Sequence, residues 1–193
     1  MNTKYEFTGE TKIVYGRTLR RIKAIVAIGA TVAPGDIGGW IESENNLSVS
    51  GNAWVYGNAE VYGNACVFGN ARVYFNACVY GNAMVSGNAE VYGNASVHGD
   101  AWVSGNAKVY GNADYMTFKN SWSSGGWFTY TASNKKWKVG CFYGTGDELV
   151  RKAYSDSELS GKCYEAIVRA VEAIEAHNRI CRAVAAYEEI EVK

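Results

Sequence analysis

The sequence predicts a mainly β protein built on a parallel β-solenoid, and three observations carry that prediction. A six-residue unit, Val-x-Gly-Asn-Ala-x, recurs eleven times over residues 49–114 with no residue inserted or deleted. Within each unit Ala-x-Val sets two apolar residues on one face of a short strand, because side chains two apart in extended chain share a face. Gly-Asn then ends the strand, since glycine has no Cβ and asparagine tolerates positive φ. Strands this short have no partner inside their own unit, so their backbone groups pair with the coils above and below.

A second period, three units long, sorts the variable positions by chemistry. Tyr56, Tyr74, Tyr92 and Tyr110 fall in one column, and Tyr62, Tyr80 and His98 in another. Ser50, Phe68, Ser86 and Ser104 make a third. Before the valines, Trp54, Arg72, Glu90 and Lys108 form a column of alternating charge, as stacked neighbours favour. Cys66, Met84 and Trp102 form an apolar column on a different face. Asn52, Asn70, Asn88 and Asn106 fall together at a corner, where an amide ladder is expected.

These repeats resemble the hexapeptide-repeat family, whose members form left-handed β-helices of triangular section. Three units per coil and the left hand, an exception to the usual crossover rule, are what the resemblance implies. The period of the unit and the columns it generates stand on the residues alone.

The elements follow in order. Residues 1–36 carry strand signals at Tyr5-Glu-Phe, Lys12-Ile-Val and Ile22-Lys-Ala-Ile-Val, broken at Gly9 and Gly16, and read as an N-terminal β cap. Residues 37–48 read as two degenerate units in frame, with Ile37 and Ser43 at the valine position and Ile41 and Leu47 at the alanine position. The solenoid then spans residues 37–114, about four coils, and stands roughly 20 Å tall at about 4.8 Å per coil. Residues 115–144 are an aromatic-rich β meander that closes the far end. In residues 145–193, Thr145 and Glu148 form a capping-box signature for a helix over about 146–154. A long amphipathic helix follows over about 161–189, its stripe running through Cys163, Ile167, Ala170, Ile174, His177, Cys181 and Val184, widened by Tyr164, Val168 and Val171. That stripe is expected to dock on the Cys66, Met84 and Trp102 face or to pair with the same helix of another subunit.

The flanks extend the resemblance. Gly-Asp-Ile-Gly-Gly-Trp-Ile-Glu over residues 35–42, and Gly-Cys-Phe-Tyr-Gly-Thr-Gly-Asp-Glu over residues 140–148, are similar to hexapeptide-repeat proteins of bacteria, phages and prophages described as transferases or polymer-forming proteins.

Composition narrows the function. Lysine plus arginine equals aspartate plus glutamate, 19 each, so bulk nucleic-acid binding, which needs a basic surface, is not expected. Five cysteines without CxxC spacing, and the lack of a leader or a long apolar run, point to a reduced cytoplasm, the host's if the chain is phage-encoded, with no membrane association.

Acyltransferases of the resembled family use a histidine base at a cleft between subunits, usually beside a loop thrown out of the coil. Here His98 is the catalytic candidate, and no loop interrupts the repeats. A three-histidine zinc site of the hexapeptide carbonic-anhydrase type is not expected from two histidines, so no metal or other cofactor is assigned. The tyrosine column offers a stacking surface for a ring or a partner protein. Phe75 stands where a corner glycine belongs, and Arg72 and Lys108 lie nearby for an anion. Cys66, Phe68, Met84 and Trp102, with Ile167, Val171 and Ile174, are the candidate seam for a subunit or for the helix.

The expected function is a non-enzymatic binding scaffold, a dimer or trimer. Its sharper version is a phage-encoded protein that sequesters a host defence protein or a nucleotide signal in an inter-subunit cleft. An acyltransferase-like enzyme using His98 and a self-assembling structural protein are the alternatives.

Overall fold

The computed structural model describes residues 2–191, with the side chains of the final helix described as far as Asn178. The N-terminal segment forms β1 (Tyr5–Val14), β2 (Arg17–Ala24) and β3 (Ile37–Ile41). Each hexapeptide then folds as a two-residue strand and a corner. The strands are β4 (Trp54–Val55), β5 (Glu60–Val61), β6 (Cys66–Val67), β7 (Arg72–Val73), β8 (Cys78–Val79), β9 (Met84–Val85), β10 (Glu90–Val91), β11 (Ser96–Val97), β12 (Trp102–Val103) and β13 (Lys108–Val109). Their alanines and valines are fully buried, so the apolar half of the repeat fills the prism. Glycine at the corners takes a positive φ, for example +68° at Gly87.

Strands three units apart in the chain pair in parallel, as in Trp54 with Arg72 and Cys66 with Met84. Three faces result. One carries β3, β5, β8 and β11, the second β4, β7, β10 and β13, and the third β6, β9 and β12. Leu47 completes the third face by bridging to Val67. This is the parallel β-helix of about four coils that the repeat predicts, with the left hand that the resemblance implies. The corner amides link coil to coil as ladders: Asn52 donates to Asn70 at 3.2 Å, Asn70 to Asn88 at 3.0 Å and Asn88 to Asn106 at 3.2 Å.

The first coil departs from the expected frame. Ile41 pairs with Val61 and Leu47 bridges to Val67, a longer step than the three units that separate regular rungs, so both occupy the valine position and not the alanine position. Two extra residues fall between Ser48 and Trp54, where Val49 stands half exposed outside the stack. Ile37 stays outside the coils as well, pairing antiparallel with Lys23.

Both ends of the prism are closed by side chains that meet unpaired backbone groups. Outside the two-residue ladders, the bonds between coils run from N–H groups of one coil to carbonyls of the next, as from Trp54 N to Ala71 O. The first coil therefore leaves carbonyls open, and the last coil leaves N–H groups open. At the start, β1 and β2 form a hairpin that extends the first face. Lys4 Nζ donates to the Ser48 carbonyl at 2.9 Å and Tyr5 Oη to that of Leu47 at 3.1 Å. At the far end a four-stranded meander, β14 (Tyr115–Lys119), β15 (Trp127–Thr131), β16 (Lys136–Val139) and β17 (Phe142–Gly144), supplies acceptors. Thr129 Oγ1 accepts from Trp102 N at 2.8 Å and Ser133 Oγ from Lys108 N at 2.7 Å, and Asn112 Oδ1, in the turn before the meander, accepts from Ser96 N at 2.9 Å.

The helices follow their predicted cap. In α1 (Gly146–Asp156), Glu148 N donates to Thr145 Oγ1 and Thr145 N to Glu148 Oε2, a complete capping box. The long helix, α2 (Glu158–Glu191), begins slightly earlier than the stripe suggests. Its described side chains do not dock on the Cys66, Met84 and Trp102 face. Tyr164, Val168 and Val171 pack instead on Leu149 and Val150 of α1 and on Phe128, Tyr130 and Trp137 of the meander, with Ile167 against the same cluster. The meander presents a continuous aromatic surface at the correct end of the molecule, and Asn120 Nδ2 fixes Tyr164 Oη at 2.9 Å. Ile174 is left 46% exposed, outside that core. The stripe residues Cys181 and Val184 lie outside the described side chains. No helix among the described residues is long and apolar enough to cross a membrane.

Candidate functional site

The second face carries two outward columns side by side, because Arg72, Val73 and Tyr74 alternate out, in, out and each coil repeats the pattern. One column is Trp54, Arg72, Glu90 and Lys108, and the other is Tyr56, Tyr74, Tyr92 and Tyr110. Trp54 is buried at the head of its column, edge-on to Tyr5 with ring centroids 6.2 Å apart. The remaining three read plus, minus, plus along the axis. Tyr74 Oη donates to Glu90 Oε2 at 2.9 Å. Burial first, then that bond and the charge of Glu90, push the Tyr74 phenol above its ordinary range. Neither Arg72 nor Lys108 forms an ion pair among the described residues.

The tyrosines do not present four free ring faces. Tyr74 and Tyr92 stack on each other at 5.0 Å and 5°, so their faces are largely taken. Tyr56 meets Tyr74 edge-on at 6.5 Å, and Tyr110 is tilted 58° to Tyr92 and 64% exposed. Phe75 adds an exposed ring. It holds φ at +60°, a region that bulky side chains rarely enter, and its ring lies 5.1 Å from that of Tyr74.

This face is a trough with raised ends. At the N-terminal end a loop closed by the Ile28–Val32 bridge overhangs the first coil, and Thr31 Oγ1 is hydrogen-bonded to Tyr56 Oη at 3.1 Å. A cavity of about 580 Å³ lies there, lined by Thr31, Tyr56, Arg72, Tyr74, Phe75 and Glu90. A smaller one of about 340 Å³ shares Thr31, Arg72 and Glu90 with it. At the other end Tyr92, Lys108 and Tyr110 meet Lys135, Glu175 and Asn178 around about 400 Å³. The structure thus gathers Tyr56, Tyr74, Tyr92, Tyr110, Phe75, Arg72 and Lys108 on one surface. Thr31, Glu175 and Asn178 were not legible as part of it, because they arrive from a loop and a helix distant in sequence.

His98 lies elsewhere. Its ring stacks on Tyr80 at 5.2 Å, which stacks on Tyr62 at 5.2 Å, along the next corner. The imidazole is exposed, and no carboxylate is hydrogen-bonded to it among the described residues. The polar cavity of about 580 Å³ beside Tyr62 and Tyr80 is not lined by His98. Its charged groups are matched internally: Arg17 grips both carboxylate oxygens of Glu42 at 3.0 Å, and Glu42 also accepts from Gly63 N. Within one chain, His98 therefore stands apart from the residues gathered on the tyrosine face.

On the third face Cys66, Phe68, Met84 and Trp102 line up without the helix residues expected to meet them. Lys138 Nζ sits 3.9 Å over the Trp102 ring, and Trp102 Nε1 donates to Ser86 Oγ at 3.0 Å. Met84 is 39% exposed, and burial pushes the Cys66 thiol up. No group of three metal-ligating side chains forms among the described residues.

A family model of the YdcK beta solenoid repeat matches residues 77–90, which run from the end of one coil through β8 and β9 into β10. The chain is similar to that repeat at the level of the solenoid. The match does not reach residues 35–42 or 140–148, on which the resemblance to phage and prophage proteins rests. No curated protein matches the chain.

Proposed function

We propose that this chain is a non-enzymatic binding scaffold that captures a partner on its tyrosine face and works as a dimer or trimer. One observation carries the reading: Arg72, without an ion pair among the described residues, stands beside Tyr56, Tyr74 and the exposed Phe75 in a trough walled at both ends. An unmatched cation next to contiguous aromatic surface is a recognition surface rather than a packing feature. The prism supports it rigidly, since every coil is tied to the next by backbone bonds and amide ladders. The flank resemblance extends the proposal to a phage-encoded protein that sequesters a host defence factor, or a nucleotide signal, in the host cytoplasm.

Native mass spectrometry of the freshly purified chain, before and after denaturation, tests this together with titration of anionic aromatic compounds, nucleotides among them. The reading expects an oligomer whose retained or titrated partner binds about tenfold more weakly to Arg72→Gln and Phe75→Gly. Binding that both substitutions leave unchanged would place recognition elsewhere and remove the proposal.

A further inference from the structure

We infer that the occupant of the tyrosine face is an α-helix of a partner protein, lying along the solenoid axis. It presents acidic side chains at i and i+7, a basic one at i+3 or i+4, and apolar residues alongside. The inference rests on the reading of this face as the binding surface and names the chemistry of its partner.

Spacing selects a helix. Arg72, Glu90 and Lys108 are successive rungs of one column, paired coil to coil. Rungs of a parallel ladder stand about 4.8 Å apart, so the two cations are separated by about 9.6 Å with the carboxylate between them. Along an α-helix one turn rises about 5.4 Å, and i to i+7 spans about 10.5 Å. The mismatch over the whole column is about 1 Å, within the reach of an arginine and a lysine. A bound β-strand repeats on one face every ~6.7 Å, and two repeats overshoot the column by about 4 Å. Charge order then fixes the helix stripe as minus, plus, minus. Glu90 has one carboxylate oxygen engaged by Tyr74 and the other available to a cation.

The parallel tyrosine column supplies the apolar rail. Tyr74 and Tyr92 are stacked on each other and turn ring edges outward, so intercalation of a planar ligand between them is not on offer. Ring edges and the exposed faces of Phe75 and Tyr110 suit the aliphatic flank of a helix better. The trough is open on its outer side, whereas sites for small molecules bury most of the ligand. Its four tyrosine rungs span about 14 Å, room between the raised ends for about nine residues of helix. A helix about 10 Å across covers such a surface without needing a lid.

Two helix-stabilised peptides of about nine residues, equal in length and in apolar stripe and differing at the three charged positions, test the inference, since unstabilised helices of that length are marginal. One carries Glu, Lys, Glu at i, i+4, i+7 beside a leucine stripe, and the other carries Lys, Glu, Lys. Fluorescence anisotropy against the full chain should show about tenfold tighter binding of the first. The Arg72→Glu, Glu90→Lys, Lys108→Glu triple variant, checked for fold by circular dichroism, should reverse that preference. If the triple variant does not fold, Arg72→Gln and Lys108→Gln should each cut the preference about threefold. Phe75→Gly should weaken the first peptide about fivefold or more. Equal binding of both peptides, a preference that the charge changes leave intact, or equal binding by a proline-interrupted version of the first peptide overturns the inference. A small molecule that is lost in Arg72→Gln while neither peptide binds removes the helix and leaves the face. Peptide binding unaffected by Arg72→Gln and Phe75→Gly removes both.

Discussion

Corner glycines of one sequence pattern should differ in cost according to what lies on the next coil, and Gly87 and Gly99 make the comparison. Both hold positive φ, +68° and +65°. An alanine at either position takes on the left-handed penalty of about 1–2 kcal/mol. At Gly99 a Cβ meets nothing within 4 Å, so that penalty is the whole cost. At Gly87 a Cβ would stand 2.9 Å from the Gly105 nitrogen and 3.0 Å from its carbonyl oxygen. Those are backbone atoms of a coil held by the Asn88–Asn106 rung and by the Asn88 N to Gly105 O bond, so they yield only by loosening both. Overpacking of that kind adds about 1–3 kcal/mol, for a total of about 2–5 kcal/mol. Equilibrium urea denaturation of Gly87→Ala and Gly99→Ala, followed by far-ultraviolet circular dichroism, reads the difference. Equal midpoints, or the larger loss in Gly99→Ala, would refute the argument that coil-to-coil approach and not φ alone fixes these glycines.

Burial lowers the Lys4 ammonium from 10.5 to about 8. Between those values the unfolded chain holds the proton and the folded chain releases it, so stability should rise with pH across that window by at most about 3 kcal/mol. Burial also raises the phenols of Tyr5 and Tyr62 to about 12, so above pH 10 the unfolded chain ionises first and stability falls again. Thermal melts from pH 7 to 11 should show the rise in the parent and lose it in Lys4→Met. Thr129→Val keeps the shape of a buried side chain but leaves Trp102 N without its acceptor, which costs about 1–3 kcal/mol in urea and should speed hydrogen exchange at that amide. Val168→Ala opens a void beneath α2, costs about 1–3 kcal/mol, and should expose the helical segment to limited proteolysis before the prism unfolds.

The columns were legible because a strict repeat turns sequence position into height. The Tyr62, Tyr80 and His98 stack and the asparagine ladders needed no further information. The first coil was not legible in frame, because residues 37–50 lack the Gly-Asn marker and two extra residues there shift Ile41 and Leu47 to the valine level. The dock of α2 was unreadable for a different reason. A stripe such as Tyr164, Val168 and Val171 says that a helix buries one face, and nothing in it distinguishes the meander's aromatics from the Cys66, Met84 and Trp102 column. The candidate trough lies between these cases. Its floor came from the repeat, but its walls are tertiary: Thr31 from the cap loop, Glu175 and Asn178 from α2.

The three faces of the prism are not equally finished. On the first, Lys12 bonds Glu60 at 2.7 Å and Arg17 bonds Glu42, so its charges are matched. On the third, Lys138 covers Trp102. Among the described residues, the tyrosine face alone joins two cations lacking ion pairs to a ring in a strained backbone position, and Phe75 tests whether that combination serves the fold. If the ring were structural, Phe75→Gly would cost about 3–5 kcal/mol, as a buried phenylalanine does. It is 63% exposed, so roughly 75 Å² of it is covered, chiefly by Tyr74, and losing that contact costs about 2 kcal/mol. Glycine adds up to about 1 kcal/mol of backbone entropy, and relief of the positive φ returns about 1–2 kcal/mol. The net change should lie within about 2 kcal/mol of zero, measured by urea denaturation, while peptide binding to the face falls. A stability loss above about 3 kcal/mol would make Phe75 part of the fold and strip the tyrosine face of its anchor.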